Sequence, residues 1–343
     1  MLKTKKTLEM LPNKTENAAL LGAALSQNYI GKNKTNQSNI KKALLNEKGQ
    51  EKKPLEIMST DCTVPLYAIQ NGEIGILKYI KNVCDQNGLT YFLAYGTLIG
   101  AVRHQGFVPW DDDVDIHMPR NDYLKFVKIV QDDPHPYYRL ISMETTPRFT
   151  LTTAKVIDTR TVLTQVSPCT ERVRLGIFVD IFILDGAGDT QEEAEETYKK
   201  AYDLFCAWYK AVMKMFYPGT GWKKTLLLWI KHTPERAAGI RYWLEKMDKF
   251  NASKAYEDCV FVGALGACTP EPARNIWKRE WFGEGTSVVF NGDTFRAPCN
   301  WDAVLRPEYG DYMTLPTPEE RKPHHYYHLE IPDPAVLEEL SQL

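Results

Sequence analysis

No stretch of this 343-residue chain reaches the roughly 18–20 apolar residues that a membrane-spanning helix needs. No apolar segment of signal-peptide length follows the first lysines, so a cytoplasmic protein is expected. Cys-x-x-Cys pairs are missing as well. The seven cysteines, Cys62, Cys84, Cys169, Cys206, Cys259, Cys268 and Cys299, are scattered and odd in number, which predicts reduced, buried thiols and not a disulfide framework. A net excess of either charge is also lacking, with 42 basic residues against 44 acidic, and no internal repeat is found.

The charge that is present is unevenly spread. Residues 1–53 hold eleven lysines against four glutamates, leaving 31 basic and 40 acidic residues in the remainder. Residues 1–55, rich in Lys, Asn, Thr and Gln, read as a disordered, solvated basic leader, and no nucleic-acid partner is expected. Residues 56–188 form the expected α+β core, a small mixed sheet flanked by helices. Residues 189–343 are expected to complete the same domain with a helical insertion and a loop-rich C-terminal part.

Apolar residues at Ile69, Ile76, Leu77, Ile80 and Val83 predict an amphipathic helix from Leu66 to Asn87, stopped by Gly88. A short strand over Thr90–Ala94 leads into Gly96-Thr97-Leu98-Ile99-Gly100-Ala101, a tight turn opening a helix whose amides can face an anion. Phe107 to Met118 reads as extended and Pro119 closes it, followed by a helix capped at Asn121 or Asp122. Further strands are expected over Thr150–Ile157 and Gly176–Leu184, then helices over 189–250 with a break at Pro218-Gly219. Trp222 to Trp229 combines lysines with leucines and tryptophans. Such a patch packs on the domain or lies on a membrane surface, so peripheral membrane contact is one reading of it.

The chemistry is concentrated in Asp111-Asp112-Asp113-Val114-Asp115-Ile116. On a strand, Asp111, Asp113 and Asp115 share one face, spaced about 6.5–7 Å apart. At an effective dielectric of about 20, two like charges at that distance repel by roughly 2.4 kcal/mol. A hard divalent cation, Mg²⁺ or Mn²⁺, would offset this, since such ions take carboxylate and phosphate oxygens. Asp180, a lone acid within the apolar run Gly176 to Phe182, would complete a three-carboxylate site and could accept the proton of an attacking hydroxyl if the strands are adjacent. His104, His117, His324, His325 and His328 lack a matching cysteine pair, so a zinc centre is not the favoured reading.

The run Tyr95 to His104, followed by Gly106-Phe107-Val108-Pro109-Trp110-Asp111-Asp112-Asp113-Val114-Asp115-Ile116, resembles the signature of the LicD family. Lys155-Val156-Ile157-Asp158, Gly176 to Phe182 and Tyr309-Gly310-Asp311-Tyr312 extend the likeness over roughly residues 66–328. The resemblance implies a nucleotidyltransferase-like fold and a CDP-alcohol-dependent phosphotransferase. Such an enzyme moves a phospho-alcohol such as phosphocholine to a hydroxyl of a glycan, teichoic acid or lipid-linked oligosaccharide and releases CMP. It further implies metal at Asp113, Asp115 and Asp180, with Asp180 sharing the ion or acting as base. Gly96 and Thr97 would cradle phosphate, Asp111 would assist, and Arg103 and Lys155 would neutralise developing charge. A nucleotidyltransferase consuming CTP and a catalytically silent glycan- or nucleotide-binding module are the alternatives. A choline donor would call for an aromatic cage, and 39 aromatic residues leave its members open.

Overall fold

The computed structural model describes residues 64–165, 174–213, 222–321 and 327–342. The leader, the expected break at Pro218-Gly219, and His324 and His325 lie outside them. In chain order the elements begin with α1 (Leu66–Asn87), β1 (Phe92–Leu93), α2 (Tyr95–His104), β2 (Val114–Pro119), α3 (Arg120–Asp132), β3 (Tyr138–Ile141), β4 (Ala154–Asp158), β5 (Val162–Gln165) and β6 (Phe178–Gly188). Four helices follow: α4 (Gln191–Val212), α5 (Trp222–Lys231), α6 (Thr233–Ala238) and α7 (Ile240–Asn251). The rest comprises β7 (Phe261–Gly263), β8 (Ile276–Lys278), β9 (Thr286–Phe290), β10 (Asp293–Ala297), α8 (Trp301–Tyr309), β11 (Tyr327–Glu330) and α9 (Pro334–Gln342).

α1 forms where its apolar spacing places it: Ile69, Ile76, Leu77, Ile80 and Cys84 are buried, and Gly88 ends the helix with φ 64°. The main sheet has the order β1-β2-β6-β4-β3, and β7 and β8 extend it from the far half of β6. β2 and β6 are parallel and the other pairs antiparallel, which makes the fold α+β around a small mixed sheet. Register pairs Val114 with Val179 and Ile116 with Ile181, all fully buried, so one sheet face is apolar core. Burying each such side chain is worth about 1.5–3 kcal/mol. The same register sets Asp115 beside Asp180 and His117 beside Phe182 on the opposite face.

Three expectations need correction. β2 begins at Val114, so Asp111, Asp112 and Asp113 lie in the segment leading into it and not on alternating strand faces. Pro109 sits second in a turn closed by Asp111 N–H donating to Val108 O at 2.9 Å, which breaks the extended run. α3 is preceded by Pro119 without a side-chain cap, and Asp122 instead accepts from Thr90 N–H at 3.0 Å. Beyond Leu265 the chain also carries more structure than its loop-like composition suggests, including the β9–β10 hairpin. Its turn is Asn291-Gly292, both residues with positive φ, a strong short-range hairpin signal.

Candidate active site

The site is built where α1, α2 and the entry to β2 meet. Asp111, Asp112 and Asp113 present carboxylate oxygens that all lie within 4.8 Å of one another, with Asp111 and Asp112 buried and Asp113 half-buried. Leaving the strand makes this possible, because alternation would hold residues two apart about 6.5–7 Å from each other. Gly96 supplies the space: a β-carbon there would stand 2.6 Å from Asp111 Oδ2. Tyr95, on which α2 opens, has φ 45°, an uncommon conformation that costs on the order of 1–3 kcal/mol outside glycine. Its hydroxyl is hydrogen-bonded to Asn275 Oδ1 at 2.8 Å, which helps fix it. The next residue but one, Thr97, accepts the Asp115 backbone N–H at 2.8 Å, and Ala94 N–H donates to Asp115 O at 3.0 Å. The Gly-Thr turn and the acidic strand are thereby locked together.

Asp115 faces Asp180 across the parallel β2–β6 pair, and Lys155 faces Asp180 across the antiparallel β4–β6 pair. Lys155 Nζ reaches both Asp180 oxygens, at 2.5 and 2.7 Å, and stands 3.7 Å from the centre of the Phe178 ring. Asp180 is thus adjacent to Asp115 but engaged by an ammonium, while the converging trio is Asp111, Asp112 and Asp113. Arg103, in the last turn of α2, donates to Tyr312 O and, at 2.9 Å, to His104 Nε2. The guanidinium therefore ties the Tyr309–Tyr312 segment to α2, within the field of Asp111.

Electrostatics mark the same place. Burial and then the Asp113 charge, together with a hydrogen bond to Asp113, hold the Asp111 carboxyl well above the usual carboxylate range. Burial, Asp113 and Asp180 do the same for Asp115, against the opposing pull of Lys155. Glu73 of α1, 2% exposed, belongs to this field although the motif reading missed it. Burial raises it well above its ordinary range, followed by the charges of Asp113, Asp112, Asp111 and Asp115. Its Oε2 is buried without a hydrogen-bond partner. One turn earlier, Gln70 Nε2 donates to Asp111 O at 2.9 Å, so this face of α1 lies against the acidic segment. The available signal was an acid on the buried stripe of an amphipathic helix. The hydroxyl of Tyr309 on α8 is raised by burial, then by Glu308, with Asp115 and Asp111 adding to the effect.

These donors fit a hard divalent cation: they are all oxygens, like charges are concentrated, and one buried oxygen is unpartnered. Among the described residues, no histidine joins a metal-binding group. His328 pairs with Glu330 at 3.0 Å. His117 is enclosed by Tyr95, Phe182, Trp277 and Phe282, and burial drops its imidazole to about 3. That aromatic box is filled by the ring itself. Beside the Arg120–Asp185–Asp248 ion pairs a cavity of about 50 Å³ is lined also by Thr153, Phe182 and Asn251, the last with an unpartnered Oδ1.

The Gly96-Thr97 turn behind the strained Tyr95, the acidic entry to β2 and Asp180 on the neighbouring parallel strand are thus assembled at one place in a mixed α+β domain. This chain matches the LicD/FKTN/FKRP nucleotidyltransferase-domain family over residues 88–205. It is 29% identical over 260 residues to the lipopolysaccharide cholinephosphotransferase LicD of Haemophilus influenzae, covering 74% of this chain and 92% of that protein. A shorter match, 44% over 39 residues, joins it to the human and mouse ribitol 5-phosphate transferase FKRP, covering 11% of this chain and 8% of those. An uncharacterized protein of Rickettsia typhi, RT0683, is 37% identical over 65 residues, covering 19% of this chain and 21% of that protein.

Proposed function

We propose that this protein transfers a phospho-alcohol from a CDP-alcohol to a hydroxyl of a glycan, a teichoic acid or a lipid-linked oligosaccharide, releasing CMP. The observation that carries this reading is the buried carboxylate cluster beside the Gly96-Thr97 turn, in a chain similar over most of its length to a cholinephosphotransferase. Mg²⁺ or Mn²⁺ would be held by Asp113 and Asp115, with Asp111, Asp112 and Glu73 close by and Asp180 as the third carboxylate. Such an ion neutralises diphosphate charge and orients the donor for in-line displacement. The acceptor oxygen forms a bond to the phosphorus bearing the alcohol, and the bond from that phosphorus to the CMP oxygen breaks.

The chain's own residues take the remaining roles. Asp180 shares the ion or receives the proton of the attacking hydroxyl, and Lys155, already against it, bears phosphate charge. Backbone amides at Gly96 and Thr97 meet a phosphate oxygen. Arg103 both offsets developing charge and anchors the Tyr309–Tyr312 segment. Choline is the first alcohol to test, since the relative matched over 92% of its length carries that activity in its name. The test is a panel of CDP-choline, CDP-ribitol and CDP-glycerol, each with an acceptor extract, scored for phospho-alcohol on the acceptor. Product from one donor names the substrate. Binding of donors without product from any of them favours the silent-module reading. We place the enzyme in the cytoplasm, at the inner face of the membrane where lipid-linked acceptors are presented.

A further inference from the structure

α5, the helix from Trp222 to Lys231, is built unlike the others. Its sequence, WKKTLLLWIK, has three lysines and no acid, in a chain whose portion beyond residue 53 is acidic. Trp222, Leu226 and Ile230 form one row at i, i+4 and i+8, with Trp229 beside them. They are 71%, 48%, 57% and 43% exposed. The adjacent row is Lys223, Leu227 and Lys231, all exposed, with Leu227 at 65%. The opposite stripe turns inward through Thr225 and, just past the helix, His232. α5 packs chiefly on α6. Five of the twelve exposed large apolar side chains among the described residues therefore sit on one ten-residue helix.

An apolar row with tryptophans near both ends, beside a row of leucine between two lysines, is the pattern of a helix lying in a bilayer interface. Indoles settle at headgroup level, and lysine stems extend along apolar surface while their ammonium groups reach outward. The absence of any acid on the helix suits a negatively charged lipid surface in particular. We propose that α5 docks this protein on anionic phospholipid bilayers, its Trp222–Leu226–Ile230 row inserted and Lys223 and Lys231 at the headgroups. The inference is independent of the donor chemistry, because none of these residues belongs to the carboxylate site.

Co-sedimentation of the full-length protein with vesicles of equal parts phosphatidylcholine and phosphatidylglycerol tests it. Wild type is expected to sediment with these vesicles and far less with pure phosphatidylcholine. Leu226→Glu combined with Ile230→Glu should lower partitioning by more than about 100-fold. Lys223→Gln with Lys231→Gln should lower it by about 30-fold on the anionic vesicles only. Because all four side chains are exposed, the variants should keep the wild-type circular dichroism spectrum. Wild type that stays in the supernatant would overturn the proposal. So would a Leu226/Ile230 variant that sediments like wild type, or a wild-type dimer that avoids vesicles and becomes monomeric in that variant.

Discussion

Single residues in this site are held in conflict with their surroundings. Glu73 is a buried carboxylate with one unpartnered oxygen and four aspartates acting on it, a position that costs free energy unless a cation or proton neutralises it. Glu73→Gln should therefore raise the thermal midpoint of the metal-free protein by a few degrees, at about 2–4 °C per kcal/mol for a domain of this size. The same variant should reduce the further rise caused by Mn²⁺. Thermal melts with and without Mn²⁺ check both, and a lowered midpoint with an unchanged Mn²⁺ response would contradict the account. The Asp111–Asp115 cluster was legible in the sequence because its members are consecutive. Glu73 was not, because 38 positions separate it from Asp111 and only the fold of α1 brings them together. The pairing of Lys155 with Asp180 was hidden for the same reason, although both residues had been singled out.

At the scale of elements, the turn into α2 and the entry to β2 act as one unit. Gly96 has no side chain where Asp111 Oδ2 lies, so Gly96→Ala would place a β-carbon 2.6 Å from that oxygen. The carboxylate can rotate away, so the fold should survive while Mn²⁺ affinity falls by about 10–100-fold, the range seen when groups supporting a metal ligand are removed. Calorimetric titration with Mn²⁺ measures this, and wild-type affinity would show that Asp111 has no part in the site. The β4–β6 pair makes a second prediction. Lys155→Met leaves Asp180 buried without its ammonium and should cost about 3–5 kcal/mol in denaturant unfolding, with Asp180→Asn in the same chain restoring part of it. α1 and β6 were readable from periodicity and apolar runs. The start of β2 was not, because Asp111, Asp113 and Asp115 recur with the period of a strand while the turn at Val108–Asp111 delays it. The β9–β10 hairpin was readable in Asn291-Gly292 and was missed in a segment dominated by Pro, Trp and Tyr.

For the whole molecule, the α+β class followed from the mixture of periodicities, whereas the sheet order required pairing between distant segments that no local pattern encodes. β7 and β8, drawn from residues 261–278, extend the same sheet as β6, which joins the C-terminal part to the core. α8 brings Glu308 to this junction, where burial, opposed by Arg274 and reinforced by Glu271, pushes its carboxyl up to about 8. Its folded value lies above its unfolded one, so its contribution to stability is complete below about pH 4.3 and is lost as pH rises through about 8. Melting temperature should accordingly decline between pH 5 and 8 more steeply in wild type than in Glu308→Gln; parallel profiles would contradict this assignment. The central claim, metal-dependent transfer from a CDP-alcohol, is tested most directly by CMP release from CDP-choline with Mg²⁺ or Mn²⁺ and an acceptor extract. Asp113→Asn and Asp115→Asn are assayed beside wild type. The account predicts CMP that disappears with chelator and falls by more than about 100-fold in both variants. Pyrophosphate from CTP with no CMP from any CDP-alcohol, or CMP release unaffected by both substitutions, would contradict it.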